Sequence, residues 1–249
     1  MVCTKSPLTG GFARSSAGGD FGAWLKFSGY DSIIIEGKAK RPVYIHLTHD
    51  SCQIHDANEL WGKGTQETQE ILRQSCGKDA RIACIGPAGE RLVRYAAIIT
   101  KDRVAGRCGV GTVMGSKNLK AIVVTARRSV KLRDPETFKQ LVKEQIGIFN
   151  DNDSCQHHKV MGTIDTQDIT SSLGVFPVKN FRYGCMADWK KIAGQEYQKL
   201  EVGREGCYSC SIQCGHAHYV PTGRKIYPEK LTSIFIHFLP PCYKYLLVN

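Results

Sequence analysis

Two different periodicities meet at Asp134-Pro135-Glu136, and no all-α or all-β fold satisfies both. Before that point the apolar residues come in short β-branched runs, residues 32–36 and 43–48 among them, bounded by Gly, Pro and Asp. Such runs predict strands, because branched side chains suit a pleated surface and the bounding residues suit turns. Residues 52–55 are expected to pair with the second run, and further strands are expected at 81–85, 93–100 and 121–125. One polar helix is predicted over Thr65–Cys76, closed by Gly77. Asp134 then supplies an N-cap ahead of Pro135, and Phe138, Leu141, Val142, Ile146 and Phe149 follow at helical spacing. Residues 189–200 form a second helix candidate. The expected class is α+β: a sheet-rich N-terminal domain over residues 1–128, the start of a helical domain over 129–229, and an atypical tail over 230–249. The boundary is placed near residues 126–132.

The chain of 249 residues is long enough for one sizeable core or two modest ones, and 42% hydrophobic with 23% charged residues argues against general disorder. Against 23 Asp+Glu stand 34 Lys+Arg, a net charge of +11 that favours phosphate groups, nucleic acid or an acidic redox protein as partner. Charge alone does not choose among them. Eleven cysteines, with no secretory leader pattern at the start, fit a secreted disulfide scaffold poorly and point to a reducing cytoplasm. The apolar stretch at residues 234–239 is far shorter than the roughly 20 residues of a spanning helix, so no membrane segment is expected.

The sharpest chemical signal is Cys207-x-x-Cys210-x-x-x-Cys214. Thiolates so spaced on a looping chain can wrap one corner of a cubane, and the lack of a nearby fourth matches a 4Fe-4S cluster completed from afar. His216 and His218 keep a zinc site open, and plain buried thiols are the bland reading. Cys3, Cys52, Cys76, Cys84, Cys108, Cys155 and Cys185 are scattered singly and read as small core or surface residues.

A second signal is Arg103-Val104-Ala105-Gly106-Arg107-Cys108-Gly109-Val110-Gly111, ahead of Gly115-Ser116-Lys117-Asn118. Its arginines can grip phosphate bidentately and its glycines let backbone N–H groups approach an anion. Neither a P-loop nor a G-x-G-x-x-G spacing is met, so phosphate binding and a tight structural turn both stand. The third stretch, Ala13-Arg14-Ser15-Ser16-Ala17-Gly18-Gly19-Asp20-Phe21-Gly22, offers hydroxyls and exposed amides to a polar ligand, and otherwise reads as a turned loop. The adjoining His157 and His158 read as surface residues.

Taken in order, these stretches resemble the aldehyde:ferredoxin oxidoreductase family. The likeness lies in Thr4-Lys5-Ser6-Pro7-Leu8-Thr9-Gly10, Gly18-Gly19-x-Phe21-Gly22 and Leu25-Lys26-Phe27-x-Gly29-Tyr30-Asp31. It continues through Ile85-Gly86-Pro87-Ala88-Gly89-Glu90, Val110-Gly111-x-Val113-Met114-Gly115-Ser116-Lys117-Asn118-Leu119-Lys120-Ala121 and Pro177-Val178-Lys179-Asn180-Phe181 to the cysteine run, covering roughly residues 4–229.

The resemblance implies a saddle-like first domain under a tungsten- or molybdenum-bis-pterin, with magnesium bridging the pterin phosphates. It places Ser16 and Gly18 at pterin-contacting positions, and Arg103, Val104, Gly106 and Arg107 in the phosphate-gripping, magnesium-bridging loop. Val104 would act through its carbonyl, and Ser16 stands where the best-known members carry an amide side chain. Cys207, Cys210 and Cys214 become three ligands of a 4Fe-4S cluster, with the fourth much further along a full-length member. Cys242 is a poor substitute, since its neighbours do not resemble that segment. The implied activity is oxidation of a small aldehyde to its carboxylate, with electrons leaving to ferredoxin or another electron-transfer protein. No nucleic acid and no membrane partner is implied, and a homodimer of the full-length parent is compatible with the likeness. Ring-reducing members acting on aromatic thioesters are not separated from aldehyde oxidisers by these motifs.

The chain is well under half a full member's length and, on this reading, starts inside the first domain, after an expected arginine contact. Residues 230–249 read as unrelated sequence, a frameshift or truncated gene model. The catalytic residues are therefore unknown, and an inactive truncated fragment or a small iron–sulfur or zinc-binding module remain as alternatives.

Overall fold

The computed structural model describes residues 1–125 and 130–219, which divide into two compact units, Met1–Leu132 and Arg133–Asn249. The expected boundary falls partly outside the described residues, and the 230–249 tail and Cys242 fall wholly outside them. The class is α+β, with a mixed sheet in the first unit and mostly helices in the second.

The first unit opens with a separate hairpin of β1 (Val2–Lys5) and β2 (Phe12–Ser15), followed by α1 (Phe21–Phe27). Next come β3 (Val43–Leu47), β4 (Cys52–Asp56), α2 (Thr65–Cys76), β5 (Arg81–Cys84), α3 (Pro87–Glu90), β6 (Ile98–Thr100), β7 (Arg103–Ala105), α4 (Val110–Ser116) and β8 (Leu119–Val124). Their six-stranded sheet runs β4-β3-β8-β5-β6-β7; β3 pairs parallel to β8, and β4 lies antiparallel to β3, the partner expected for it. A central strand must be apolar on both faces, and β8 is buried at Leu119, Lys120, Ala121, Val123 and Val124. Trp24, Val110 and Met114 cover one face and Leu60 and Leu72 the other. Arg81 joins layers by stacking its guanidinium 4.1 Å from the Trp24 ring centre while pairing with Asp20.

The predicted helix Thr65–Cys76 forms with those bounds, and Gly77 closes it at φ 105. Residues 32–36 are not a strand. They keep the alternation, Ile33 and Ile35 packing on the core while Ile34 is 84% exposed, but among the described residues no neighbouring strand pairs with them. The expected 93–100 strand shortens to β6, because residues 93–97 form turns in which the Ala96 N–H donates to the Val93 carbonyl.

Lys120 breaks the apolar rule of β8 and shows how a cation is tolerated there. Its side chain is 0% exposed, its ammonium pairs with Glu90, itself 4% exposed, and it donates to the Lys63 carbonyl at 2.8 Å. The other Glu90 oxygen accepts the Gly62 N–H at 2.8 Å, so the pair ties β8, α3 and the 62–63 loop together.

The second unit contains α5 (Pro135–Asn150), α6 (Asp153–Met161), α7 (Asp165–Ser172), α8 (Gly194–Gln198) and a hairpin of β9 (Glu201–Glu205) with β10 (Gly215–His218). The Asp134 carboxylate caps α5 by accepting the Thr137 N–H at 3.1 Å, and the apolar stripe of α5 is exposed. The expected 189–200 helix is broken: Trp189–Ile192 is a 3-10 turn, Ala193 is extended at ψ 161, and α8 starts afresh. No helix among the described residues is long and apolar enough to cross a membrane.

Removing one partner of a buried pair leaves an uncompensated charge, so Glu90→Leu is expected to destabilise the first unit by about 3–5 kcal/mol. Adding Lys120→Met should recover a large part of that loss, read by urea denaturation of the single and double variants. Burial, then the nearby His55, lowers the pKa of His46, whose ring bonds Thr125 Oγ1 at 3.0 Å. The unfolded chain therefore binds the proton more readily, so stability should be full above about pH 6.5 and fall as pH drops through the lower folded value. His46→Gln should flatten that acid-side slope in denaturation midpoints measured between about pH 7.5 and 5.

Candidate functional site

The arginine loop begins at the sheet edge. The β6–β7 hairpin closes through a tight Lys101-Asp102 turn, held from α2 by the buried Gln69. Its Oε1 accepts the Lys101 N–H at 2.8 Å and its amide donates to the Lys101 carbonyl at 3.4 Å. Thr100 faces Arg103 and Ile99 faces Val104. In such a hairpin the closing pair exchanges hydrogen bonds and the next pair does not, so the Val104 N–H and carbonyl point away from β6. Because β7 is the last strand, that side is an open edge among the described residues.

The small-residue stretch meets this loop. Alternation along β2 buries Ala13 and Ser15 and exposes Arg14, and Ser16 beyond Ser15 is exposed. The Ser15 hydroxyl accepts the Arg107 N–H at 3.0 Å, and the Ser6 hydroxyl donates to the Cys108 carbonyl at 2.9 Å. At Gly19, φ +93, an added Cβ would stand 3.1 Å from Arg103 Cγ, so glycine admits the arginine stem. Two motifs more than eighty residues apart are thereby adjacent. Ser16, Gly18 and Arg107 are exposed, Arg103, Val104 and Gly106 are half-buried, and Arg107 makes no ion pair among the described residues. Guanidinium groups, an open backbone edge and a segment with little side-chain bulk suit a phosphate-bearing ligand. The residue that sequence reasoning missed is Ser15, although the buried alternation of Ala13-Arg14-Ser15 was a readable signal.

The later glycines serve packing. A Cβ on Gly109 would stand 1.9 Å from the Arg94 carbonyl oxygen, on Gly111 2.3 Å from that of Ala97, and on Gly115 1.9 Å from that of Gly89. Helix α4 thus lies backbone to backbone on the turns around residues 89–97. Gly106 differs, since its added Cβ would meet the Val104 side chain at 3.1 Å.

The second unit holds the cysteines. Cys207, Cys210 and Cys214 all lie in the loop joining β9 to β10, and each is half-buried, with no disulfide among the described residues. The Cys210 N–H donates to the Cys207 carbonyl at 3.1 Å, while Ser209 at φ 52 and Gln213 at φ 50 turn the chain back. Among the described residues no three His, Cys, Asp or Glu side chains are gathered so as to hold one metal ion. Ligands to separate irons of a cluster need not converge in that way, whereas ligands to a single zinc must. His216 is engaged at both nitrogens, by Glu201 at 2.9 Å and the Lys159 carbonyl at 3.2 Å, which leaves neither for zinc. His218 is buried against Tyr197, and desolvation, then His216, lowers its pKa. Of the scattered cysteines Cys84 is buried, which pushes its thiol up to about 12 and makes it inert at neutral pH, while Cys3, Cys52 and Cys185 are exposed.

Gly115→Ala, which overpacks backbone on backbone, is expected to cost roughly 1–3 kcal/mol or more. Gly106→Ala should cost well under that, and urea midpoints of the two variants give the comparison.

Known proteins match most of the chain. The model of the aldehyde ferredoxin oxidoreductase N-terminal domain matches residues 1–126, and that of domains 2 and 3 matches residues 140–234, slightly beyond the likeness read from the motifs. The tungsten-containing aldehyde ferredoxin oxidoreductase of Pyrococcus furiosus is 43% identical over 225 residues, covering 89% of this chain and 37% of the relative. An aliphatic sulfonate oxidoreductase, WOR-like subunit, of the same organism is 39% identical over 158 residues, 57% of this chain and 25% of its own. Among solved structures, the BamBC active-site complex of benzoyl coenzyme A reductase, with 1,5-dienoyl-CoA, superposes with a TM-score of 0.73 at 30% identity. That match covers 88% of this chain and 36% of the other. The chain spans about a third of the length of the relatives it matches, and it belongs to the aldehyde ferredoxin oxidoreductase family.

Proposed function

We propose that this chain supplies one face of a tungsten–bis-pterin site and three cysteine ligands of a 4Fe-4S cluster, in an enzyme oxidising small aldehydes to carboxylates. The observation that carries the reading is the Ser15–Arg107 hydrogen bond with Gly19 against Arg103, which joins the two ligand-suited motifs. Arg103 and Arg107 would bind the pterin phosphates. Ser16 and Gly18 would lie under the ring system, and Gly106 would leave room beside Arg107. The outward carbonyl of Val104 would be an oxygen ligand for a magnesium ion, without need of a longer side chain at Ser16.

When bound, the metallopterin supplies the two-electron chemistry and the cluster a path that carries electrons singly. An aldehyde and water give a carboxylate, three protons and two electrons, so two one-electron acceptors such as ferredoxins are required. The net charge of +11 would assist docking of an acidic ferredoxin. The ring-reducing reading has support from one structural likeness at 30% identity, whereas the aldehyde reading has 43% sequence identity behind it.

The test is metal and pterin analysis of the full chain produced anaerobically in a host that makes tungstopterin. Arg103→Ala with Arg107→Ala is expected to lose most of the bound tungsten and pterin but keep iron. Cys207→Ser is expected to lose iron and keep tungsten. Zinc without iron would mark a zinc module, and no tungsten in the wild-type chain would mark an inert fragment; either result overturns the proposal.

A further inference from the structure

The cysteine loop is held unevenly. Cys207 and Cys210 are fixed to each other by their own turn, the Cys210 N–H donating to the Cys207 carbonyl at 3.1 Å. Cys214 lies outside that turn, beyond Gln213, and its place relative to the other two depends on how β10 is seated.

That seating is a closed bracket. His216 and Arg204 are opposite partners across the β9–β10 hairpin, and their side chains reach the same two acceptors. Arg204 Nε donates to Glu201 Oε1 at 3.0 Å, and His216 Nδ1 meets Glu201 Oε2 at 2.9 Å. Arg204 Nη1 donates to the Lys159 carbonyl at 3.0 Å, and His216 Nε2 meets the same oxygen at 3.2 Å. The His216 side chain is only 3% exposed. Gly162, φ +69, completes the seat: an added Cβ there would stand 3.0 Å from both the Cys214 carbonyl oxygen and His216 Cδ2. The junction after α6 therefore passes close to the Cys214 backbone and the His216 ring, with no room for a side chain between.

We propose that His216, bracketed with Arg204 between Glu201 and the Lys159 carbonyl, is a positioning residue that fixes the Cys214 arm of the loop for cluster ligation. The inference rests on the cluster reading above. Metal sites tolerate ligand misplacement of only about 0.5 Å, and groups behind the ligands set that tolerance. The bracket supplies such support at Cys214, where the cysteine turn does not.

The test uses the full chain under anaerobic conditions, with His216→Phe keeping the ring bulk and removing both bonds, and His216→Gln keeping an amide donor. In the iron-free chain, timed alkylation read by mass spectrometry is expected to be about tenfold faster at Cys214 in His216→Phe, with Cys207 and Cys210 unchanged. His216→Gln should restore most of the protection. After reconstitution with ferrous iron, sulfide and an added thiol, His216→Phe should hold less iron per chain and give an altered EPR signal of the reduced cluster. Unchanged alkylation at Cys214 together with an unchanged EPR signal in folded His216→Phe overturns the proposal. If circular dichroism shows that His216→Phe is unfolded, Glu201→Gln takes its place, and the same two unchanged readouts in that variant overturn the proposal. Failure of the wild-type chain to take up iron would overturn the ligand assignment instead, while the alkylation contrast would still decide the role of His216.

Discussion

The contact on which the first unit depends is backbone lying against backbone. Gly109, Gly111 and Gly115 bring α4 onto the carbonyls of Arg94, Ala97 and Gly89 at distances that exclude a β carbon. With α4 so fixed, and with β7 fixed by its pairing to β6, the intervening Gly106-Arg107-Cys108 segment spans two rigid supports. Ser15 and Ser6 then need only one hydrogen bond each to set its course. Rigid supports with few adjustable contacts are what a ligand-gripping loop requires, since the arginines must be in place before the ligand arrives.

Much of this was legible in the residues, for identifiable reasons. The Thr65–Cys76 helix carried its own stop at Gly77, and Asp134-Pro135 its own start, so local chemistry sufficed. Residues 32–36 show the limit of periodicity, which reports which side chains turn inward but not whether a neighbouring strand exists to pair with. The break at Ala193 was hidden for another reason. The Asp168 carboxylate of α7 accepts the Gly194 N–H at 3.0 Å and starts α8 afresh, a contact between elements that no window around residue 193 contains.

The candidate sites were legible as groups of residues and less so as roles. The arginine loop and the small-residue stretch are each ambiguous alone, and no local pattern in either announces that they lie side by side. By sequence all the glycines of the loop are equally suited to anion contacts, yet Gly109, Gly111 and Gly115 serve packing. The histidines after the cysteine run could have been zinc ligands on spacing alone. Only the positions of Glu201 and Lys159, remote from them in sequence, show that His216 is committed elsewhere.

The outermost position of β7 has a consequence for the chain's solubility. A strand with one unpaired row of N–H and carbonyl groups is a template on which a second copy could add its own strand. Here that row is short, and in sequence it is flanked by Arg103 and Arg107. Two such edges approaching each other would bring like charges together, which discourages self-association while leaving the same row open to a small anion.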